Sequence, residues 1–503
     1  MFTENQIENI KEKAKKIAFD KFKNGNDRDA ELICSQIIKV EPENIEMIQL
    51  LGLIKHKKQD YQGASEIFKM GIKIEPNNYE NHNNLGLCLS AQGKYQDAIL
   101  SLQEASRLRP DLDFILSNLG LQYRNEGNTK EAICFFKKSL AIKETAETLS
   151  MLGGCYGEVK MLEEAEYYFK KAISINPNFS GAHVDLASIY QFRGEWEKAW
   201  PEYEWRFKLY EQSKFWDIIF DPELRMKKGQ NINGLRILVH PEQGTGDMIQ
   251  FSRYLKHLRN LGAYVILHCW ESLEKLLKEM ADETYTAEPA TIAKYQSRKE
   301  SSEMPKYDLH CSIMSLPYLL SLDHIPNKPY IKASGAFDLS KYEKKIKVGI
   351  AWGGNPQHPN DKSRSCKLVD FKPIHDISNV KIFNLQKDMR LRKYRFDDEA
   401  IDLTEGAKDM AIVNMSELQE DFSATASIIN SLDVVVTIDT AILHLAGAMG
   451  KRTIAMISDN CDWRWKLSGE STEWYPSVTL VRKCGESWNS AFAEAARIIR
   501  EMN

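Results

Sequence analysis

The residues whose types and spacing best suit chemistry lie at 433–457, DVVVTIDTAILHLAGAMGKRTIAMI. An apolar run (434–438), a polar pair (Asp439, Thr440), an apolar helical stretch (441–449) and a second apolar run (453–457) read as one strand–helix–strand unit of a parallel sheet. The polar pair falls at the helix N-terminus, where unpaired N–H groups and the helix dipole favour an anion. His444 is four residues beyond Thr440, so it lies on the same helix face one turn on. A hydroxyl, free amides and an imidazole would then converge at the carboxyl end of a strand, where open α/β sheets take ligands. The alternative is that Asp439 only caps the helix and His444 only packs.

Three further stretches could serve such a site. Gly244-Thr245-Gly246-Asp247 lies between a predicted strand and a predicted helix. A dinucleotide-binding loop would read GxGxxG, but Ile249 stands where the third glycine belongs, which counts against a nicotinamide-dependent oxidoreductase. The glycines still allow backbone to approach a ligand. Asp247 reads either as the helix N-cap, with a low pKa, or as a carboxylate facing a cleft. Residues 353–365, GGNPQHPNDKSRS, place Gly354, Lys362 and Arg364 in a loop suited to phosphate or sugar hydroxyls, or simply to solvent. Gln386 ends a predicted strand, where its amide could meet a nucleobase edge. Trp463, Trp465 and Trp474 suit base stacking or a structural clamp.

The elements that must position these groups fall into two kinds. In the first half, Gly52, Gly86, Gly120 and Gly153 recur at intervals of 34, 34 and 33, and Ala18 and Ala187 extend the register. Alanine follows each by twelve residues, from Ala30 to Ala199, and Pro42, Pro76, Pro110 and Pro177 close four units. Small residues let paired helices approach, and proline stops the second helix. Units such as LGLCLSAQGKYQDAILSLQEASRLRP match the tetratricopeptide pattern, giving about six repeats. Asn84 and Asn118 precede their glycines by two residues, a position that faces the concave groove of such arrays, where carboxamides could bond an extended peptide or stay solvated. Trp196, Trp200, Trp205 and Trp216 close the array and are expected to pack its last repeat.

The second half alternates strands and helices. Strands are expected at 236–240, 264–268, 347–352, 380–385, 400–403, 434–438, 453–457 and 478–481, with 281–306 as loop and a last helix at 488–502. Two doubly wound lobes facing a cleft is the expected arrangement. The predicted domains are a repeat array (1–213), a linker (214–234), an N-terminal lobe (235–335) and a C-terminal lobe (336–503).

Composition sets bounds. The 503 residues carry a formal charge of −4 from 67 basic and 71 acidic side chains, so no charge asymmetry points to nucleic acid. Nine scattered cysteines without CxxC pairs argue against structural zinc and disulfides and suggest the cytoplasm. The N-terminus is polar, and no apolar run reaches membrane-spanning length.

From about Gly234 the chain resembles bacterial tetratricopeptide glycosyltransferases of the GT-B fold, related to heptosyltransferases and more distantly to O-GlcNAc transferases. The residues carrying the resemblance are EQGTGDMIQFSRYL, SIMSLPYLL, GIAWGGNPQHPNDKSRS, DFSATASIINSLDVVVTIDTAILHLAGAMGK and DWRW…WYP. The resemblance implies an α-solenoid followed by a double Rossmann-like transferase with Asp247 as general base. It also implies that Asp439, Thr440, Ala441 and His444 grip the donor pyrophosphate, with Lys362 and Arg364 competing as the basic contact. Heptosyltransferases usually have glycine where this chain has Ala441. Gly244, Gly246, Gly354 and Gln386 complete the expected donor site. No cofactor and no metal are expected, since no DxD-type metal cluster occurs in the sugar-facing loops. The expected partners are a nucleotide-diphosphate sugar and a protein or peptide acceptor. A rival expectation is a repeat scaffold whose transferase lobes bind without catalysing.

Overall fold

The computed structural model describes residues 4–209, 220–286, 305–358, 360–387, 410, 412–485 and 487–502. The chain divides into two compact units, Met1–Leu186 and Ala187–Asn503. The first is a run of antiparallel helix pairs, beginning Glu4–Lys23 with Asp27–Val40, then Ile45–Lys57 with Tyr61–Ile74. Later pairs are Tyr79–Ala91 with Tyr95–Leu108, Asp113–Asn125 with Thr129–Ile142, and Ala146–Glu158 with Leu162–Ile175.

The glycine register has a steric cause. A Cβ on Gly52 would lie 2.6 Å from the Phe68 ring, on Gly120 2.8 Å from Phe136, and on Gly153 2.8 Å from Phe169. Each glycine therefore receives the large side chain sixteen residues on, from the second helix of its own pair. Ala30, Ala64, Ala98, Ala132 and Ala165 are wholly buried at the same seams. Asn44 and Asn78 cap the first helices of their pairs by accepting from the Met47 and Asn81 amides. A second register was not read from the sequence. Gly25, Gln59, Gly93, Gly127 and Lys160 take positive φ at the turn inside each of these pairs, as does Gly194 between the helices Ser180–Arg193 and Trp196–Tyr203, with φ from 62° to 85° over the six. Glycine holds four of the six turns, while Gln59 and Lys160 tolerate the left-handed conformation.

The second unit carries two parallel sheets. The first is β1 (Arg236–His240), β2 (Tyr264–Cys269), β3 (Glu283–Thr286) and β4 (Leu309–Ser312), in the order β3-β2-β1-β4. The second is β5 (Ile346–Ala351), β6 (Val380–Asn384), β7 (Val413–Asn414), β8 (Val434–Ile438), β9 (Thr453–Ile457) and β10 (Val478–Arg482), in the order β10-β9-β8-β5-β6-β7. Every residue of β8 and β9 is buried, which is why these strands read as unbroken apolar runs. The second sheet packs on the helix Asn489–Arg500 through Val348, Ile350, Phe371 and Phe492. Each such fully buried side chain contributes about 1.5–3 kcal/mol.

The order reverses direction at β1/β4 in the first sheet and at β5/β8 in the second. Those switch points are where ligands bind in open α/β sheets. One expectation is corrected: residues 283–286 form an edge strand, not loop. ETYT is half-buried throughout and pairs with β2 through Ile266↔Glu283 and Cys269↔Thr286, so it lacks the apolar run that marks a central strand. The strand expected at 400–403 lies outside the described residues. Among the described residues, no helix is long and apolar enough to cross a membrane.

Gly120→Val should lower the unfolding midpoint of the repeat unit by the equivalent of about 1–3 kcal/mol, because its side chain must displace the Phe136 ring. Gly181→Ala, whose Cβ would meet only Phe179 at 3.9 Å, is the control and should leave stability nearly unchanged. Equal urea midpoints for the two variants would refute the steric account of the register.

Candidate functional site

The carboxyl ends of β1 and β8 each lead into a helix, Thr245–Phe251 and Ala441–Ala448, and these two helices pack on each other at their N-termini. Gly246 makes the approach possible. A Cβ there would lie 2.8 Å from His444 Cδ2 and 3.6 Å from Ala441 Cα. Gly246 and Ala441, expected to face a donor, therefore face each other across the two lobes. At Gly246 a side chain would press on the His444 ring.

Asp247 is the third residue of its helix, and Gly244 is the N-cap. The carboxylate Oδ2 accepts from the Gly244 N–H at 2.9 Å. Asp247 was expected, as an N-cap, to have a low pKa; instead it is raised. Burial is the largest cause, reinforced by Asp462 and Glu242 and opposed by the Arg464 charge and the Gly244 amide.

Arg464 is the residue that sequence reasoning missed. It sits in the short turn Trp463–Trp465, which Asp462 caps by accepting from the Arg464 N–H at 3.0 Å. Its guanidinium donates from Nη2 to Asp247 Oδ1 and from Nε to Gln250 Oε1, both at 2.5 Å. From Nη1 it donates to Asp462 Oδ1 at 2.9 Å, and it lies 4.3 Å from the centroid of the Trp463 ring. The signal in the sequence was an arginine between two tryptophans with an aspartate two residues before it, and nothing local says where such a side chain points.

Asp439 follows β8, and Thr440 is the N-cap of its helix, with no side-chain cap bond. Thr440 Oγ1 instead lies 3.4 Å from Thr437 Oγ1. Burial pushes the Asp439 carboxyl up to about 6, helped by neighbouring Asp462 and opposed by Trp465, Arg464 and Arg364. His444 is buried, with Nδ1 3.0 Å from the Tyr475 hydroxyl and Nε2 4.0 Å from Asp439 Oδ1. Burial, then the charges of Arg464, Arg253 and Arg364, hold its pKa well below the ordinary value, so the ring is neutral. The imidazole expected beside an anion is thus an uncharged, tyrosine-anchored side chain. Gly447 leaves room for that tyrosine: a Cβ would lie 2.5 Å from Tyr475 Cγ.

The loop after β5 closes on itself through Cys366 N–H to Trp352 O at 3.0 Å. Gly354 sits under Arg364, where a Cβ would meet Nη2 at 2.7 Å. Arg364 Nε lies 3.8 Å from Asp361 Oδ1. Of the two competing cations, Arg364 is brought toward Asp439, while Lys362 is exposed. Gln386 differs from expectation. Its Oε1 accepts from the Trp352 and Gly353 amides at 3.2 and 2.8 Å, so this carbonyl pins the loop.

Other buried polar groups complete the frame. Glu242 takes a two-pronged bond from Arg206, at 2.7 and 2.8 Å, and one from Ser312. Burial acts to raise its pKa, but Arg206 outweighs it and the net direction is down. Trp196 stacks on Trp200 at 5.2 Å, and both meet Trp463 edge-on, with Trp474 edge-on to Trp196. Trp463 and Trp474 thus belong to a structural clamp, as does buried Trp465, whose ring lies 5.7 Å from His444. Trp205 lies under Lys208, and Trp216 is outside the described residues. In the repeats, Asn118 Nδ2 donates to Asn83 Oδ1 at 2.9 Å, and Asn83 Nδ2 donates to Asn84 Oδ1 at 3.2 Å. Asn83, which was not singled out, joins the two expected amides into a chain.

Comparison with known proteins places the repeats. Residues 67–99 and 168–200 match one tetratricopeptide repeat model and residues 146–179 match another. The chain is similar to Protein FlbA of Caulobacter vibrioides, 23% identical over 336 residues, covering 63% of this chain and 54% of the relative. The chain therefore spans about half the length of the curated relative it matches. Among solved structures, a thermophilic tetratricopeptide repeat protein of Thermus thermophilus covers 36% of this chain and 98% of its own, at 22% identity and a TM-score of 0.31. PilF of Pseudomonas aeruginosa covers 41% and 93%, at 17% identity and a TM-score of 0.37. MamA from Desulfovibrio magneticus covers 34% and 96%, at 19% identity and a TM-score of 0.32.

The raised Asp439 carboxyl makes a pH-dependent prediction. Between the ordinary value of 3.8 and about 6 the folded protein holds a proton that the unfolded chain has lost. Stability from this group is full below that window and falls as pH rises through it, so the ionised carboxylate is destabilising above it. Asp439→Asn should stabilise the protein by on the order of 2 kcal/mol at neutral pH, with the gain vanishing near pH 4. Urea midpoints of parent and variant at the two pH values test this; a pH-independent difference would contradict it.

Proposed function

We propose that the second unit is a glycosyltransferase that takes a nucleotide-diphosphate sugar and passes the sugar to a hydroxyl or amide acceptor with inversion. The observation that carries this reading is the convergence of the two sheets' switch points. The helix after β1 that carries Asp247 packs through Gly246 on the helix after β8, whose N-cap Thr440 makes no side-chain cap bond, and Arg364 lies above Gly354 after β5. The donor diphosphate would lie against Thr440, the first amides of the helix Ala441–Ala448 and Arg364.

In the transfer step the acceptor's proton passes to Asp247, its oxygen or nitrogen attacks the anomeric carbon, and the bond from that carbon to the diphosphate breaks. The nucleoside diphosphate leaves with the bonding electron pair, stabilised by Arg364 and the helix terminus. A carboxyl raised by burial is a stronger base than an exposed one, which suits Asp247 to this role. The repeats would supply the acceptor's docking surface, since tetratricopeptide arrays suit protein partners. The amide chain Asn83–Asn84–Asn118 offers bonds to an extended peptide backbone.

A second reading is a scaffold whose lobes bind a nucleotide sugar without turnover. It is favoured by Gly246 and His444 filling each other's space and by Asp247 being paired to Arg464.

Asp247→Asn separates the two. Asn can accept from the Gly244 amide or from Arg464 but not from both, so its unfolding midpoint is measured first, and it cannot take a proton. Transfer should fall by about 10²–10⁴ with donor affinity retained. Parental transfer by D247N would remove the catalytic assignment, and no turnover of any nucleotide sugar by the parent would favour the scaffold. For the repeats, the double variant Asn84→Ala/Asn118→Ala should slow transfer to a protein acceptor about tenfold, the loss of roughly 1.4 kcal/mol of hydrogen bonding. Donor hydrolysis should not change. Equal slowing of both reactions would deny the repeats a role in acceptor choice.

A further inference from the structure

We propose that Arg464 is the positioning residue of the transfer reaction, fixing the plane of the Asp247 carboxylate and keeping it anionic. The proposal rests on the transferase reading above.

The geometry is a two-sided grip. Asp247 Oδ2 is held by the Gly244 amide and Oδ1 by Arg464 Nη2, so both oxygens are located. Gln250 lies three residues on from Asp247 and takes the Nε of the same guanidinium, so the fork bridges one face of the helix. Asp462 holds Nη1 and also caps the turn that carries Arg464, while Trp463 lies against the flat of the cation. The guanidinium is thus fixed to two elements and only 7% exposed. It cannot turn without leaving a buried charge unpaired.

The charges around Asp247 show why a cation is needed. Glu242 faces it from the loop after β1, and Asp462 from the loop after β9. Tyr203 and His358 also lie within electrostatic reach. The two carboxylates and burial all act to protonate Asp247, and a protonated carboxyl cannot accept the acceptor's proton. Arg464 opposes them most strongly.

Arg464→Gln and Arg464→Lys in the full chain test this, with donor affinity, kcat/KM against pH, and the titration of Asp247 followed by carbon NMR of aspartate labelled at Cγ. The Asp247 signal is assigned by its loss in D247N. For R464Q the expected results are a rate loss of about 10²-fold, unchanged donor affinity, and upward shifts of both the acid limb and the Asp247 midpoint. R464K restores the charge but not the fork, so its acid limb should return to the parental position while its kcat stays low. An Asp247 midpoint that does not move in R464Q overturns the proposal, whatever the turnover. If R464Q does not fold, R464K decides alone: a parental kcat overturns the proposal, and a low kcat on an unshifted acid limb supports it. A parent that transfers no sugar while the midpoint moves refutes the transferase reading and leaves the Arg464–Asp247 linkage supported.

Discussion

A buried guanidinium must be paired, and in this protein the pairing of Arg464 organises the candidate site. Its partners come from the helix after β1 and from the turn after β9, so satisfying one cation brings two lobes together. Several residue choices follow. Gly246 is glycine because His444 lies against it, and Gly447 is glycine because Tyr475 does. Burial, then the charges of Arg464, Arg253 and Arg364, hold the His444 pKa well below its ordinary value. The indoles of Trp463 and Trp474 pack edge-to-face beside the cluster, and Trp463 lies against the Arg464 guanidinium.

The repeats obey a different constraint. Each helix pair buries a large side chain in the gap left by a glycine, and the same small seam recurs every 33 or 34 residues. Because the requirement is local and steric, it is written into residue identity at a fixed period, and the repeats were legible from the sequence. The positive-φ turn inside each pair was less legible, because Gln59 and Lys160 adopt it as well as glycine.

In the second unit, β1, β2, β5, β8 and β9 announced themselves as apolar runs, and the strand–turn–helix of 434–448 was placed correctly on that basis, whereas β4, LHCS, is wholly buried but too short and mixed to read as a strand. The polar edge strand β3 was not read either, since its four residues are only half-buried. The site's electrostatics could not be read locally at all. Asp247 meets Arg464 217 residues away, so neither its raised pKa nor the cation's role has a sequence signature. Gln386 and His444 illustrate the same gap. Their residue types suited ligands, and nothing local announced that backbone amides bond the Gln386 carbonyl or that a tyrosine hydroxyl meets His444 Nδ1.

The central claim is that the crevice at the two switch points binds a nucleoside diphosphate through the helix N-terminus and Arg364. Calorimetric titration of the full chain with uridine, guanosine, adenosine and cytidine diphosphates, in the presence of a chelator, tests it most directly. The account predicts that one of the four binds and that Arg364→Ala weakens that binding about tenfold, the loss of one charge-assisted contact. Failure of all four to bind the parent, or equal affinity in R364A, would contradict it.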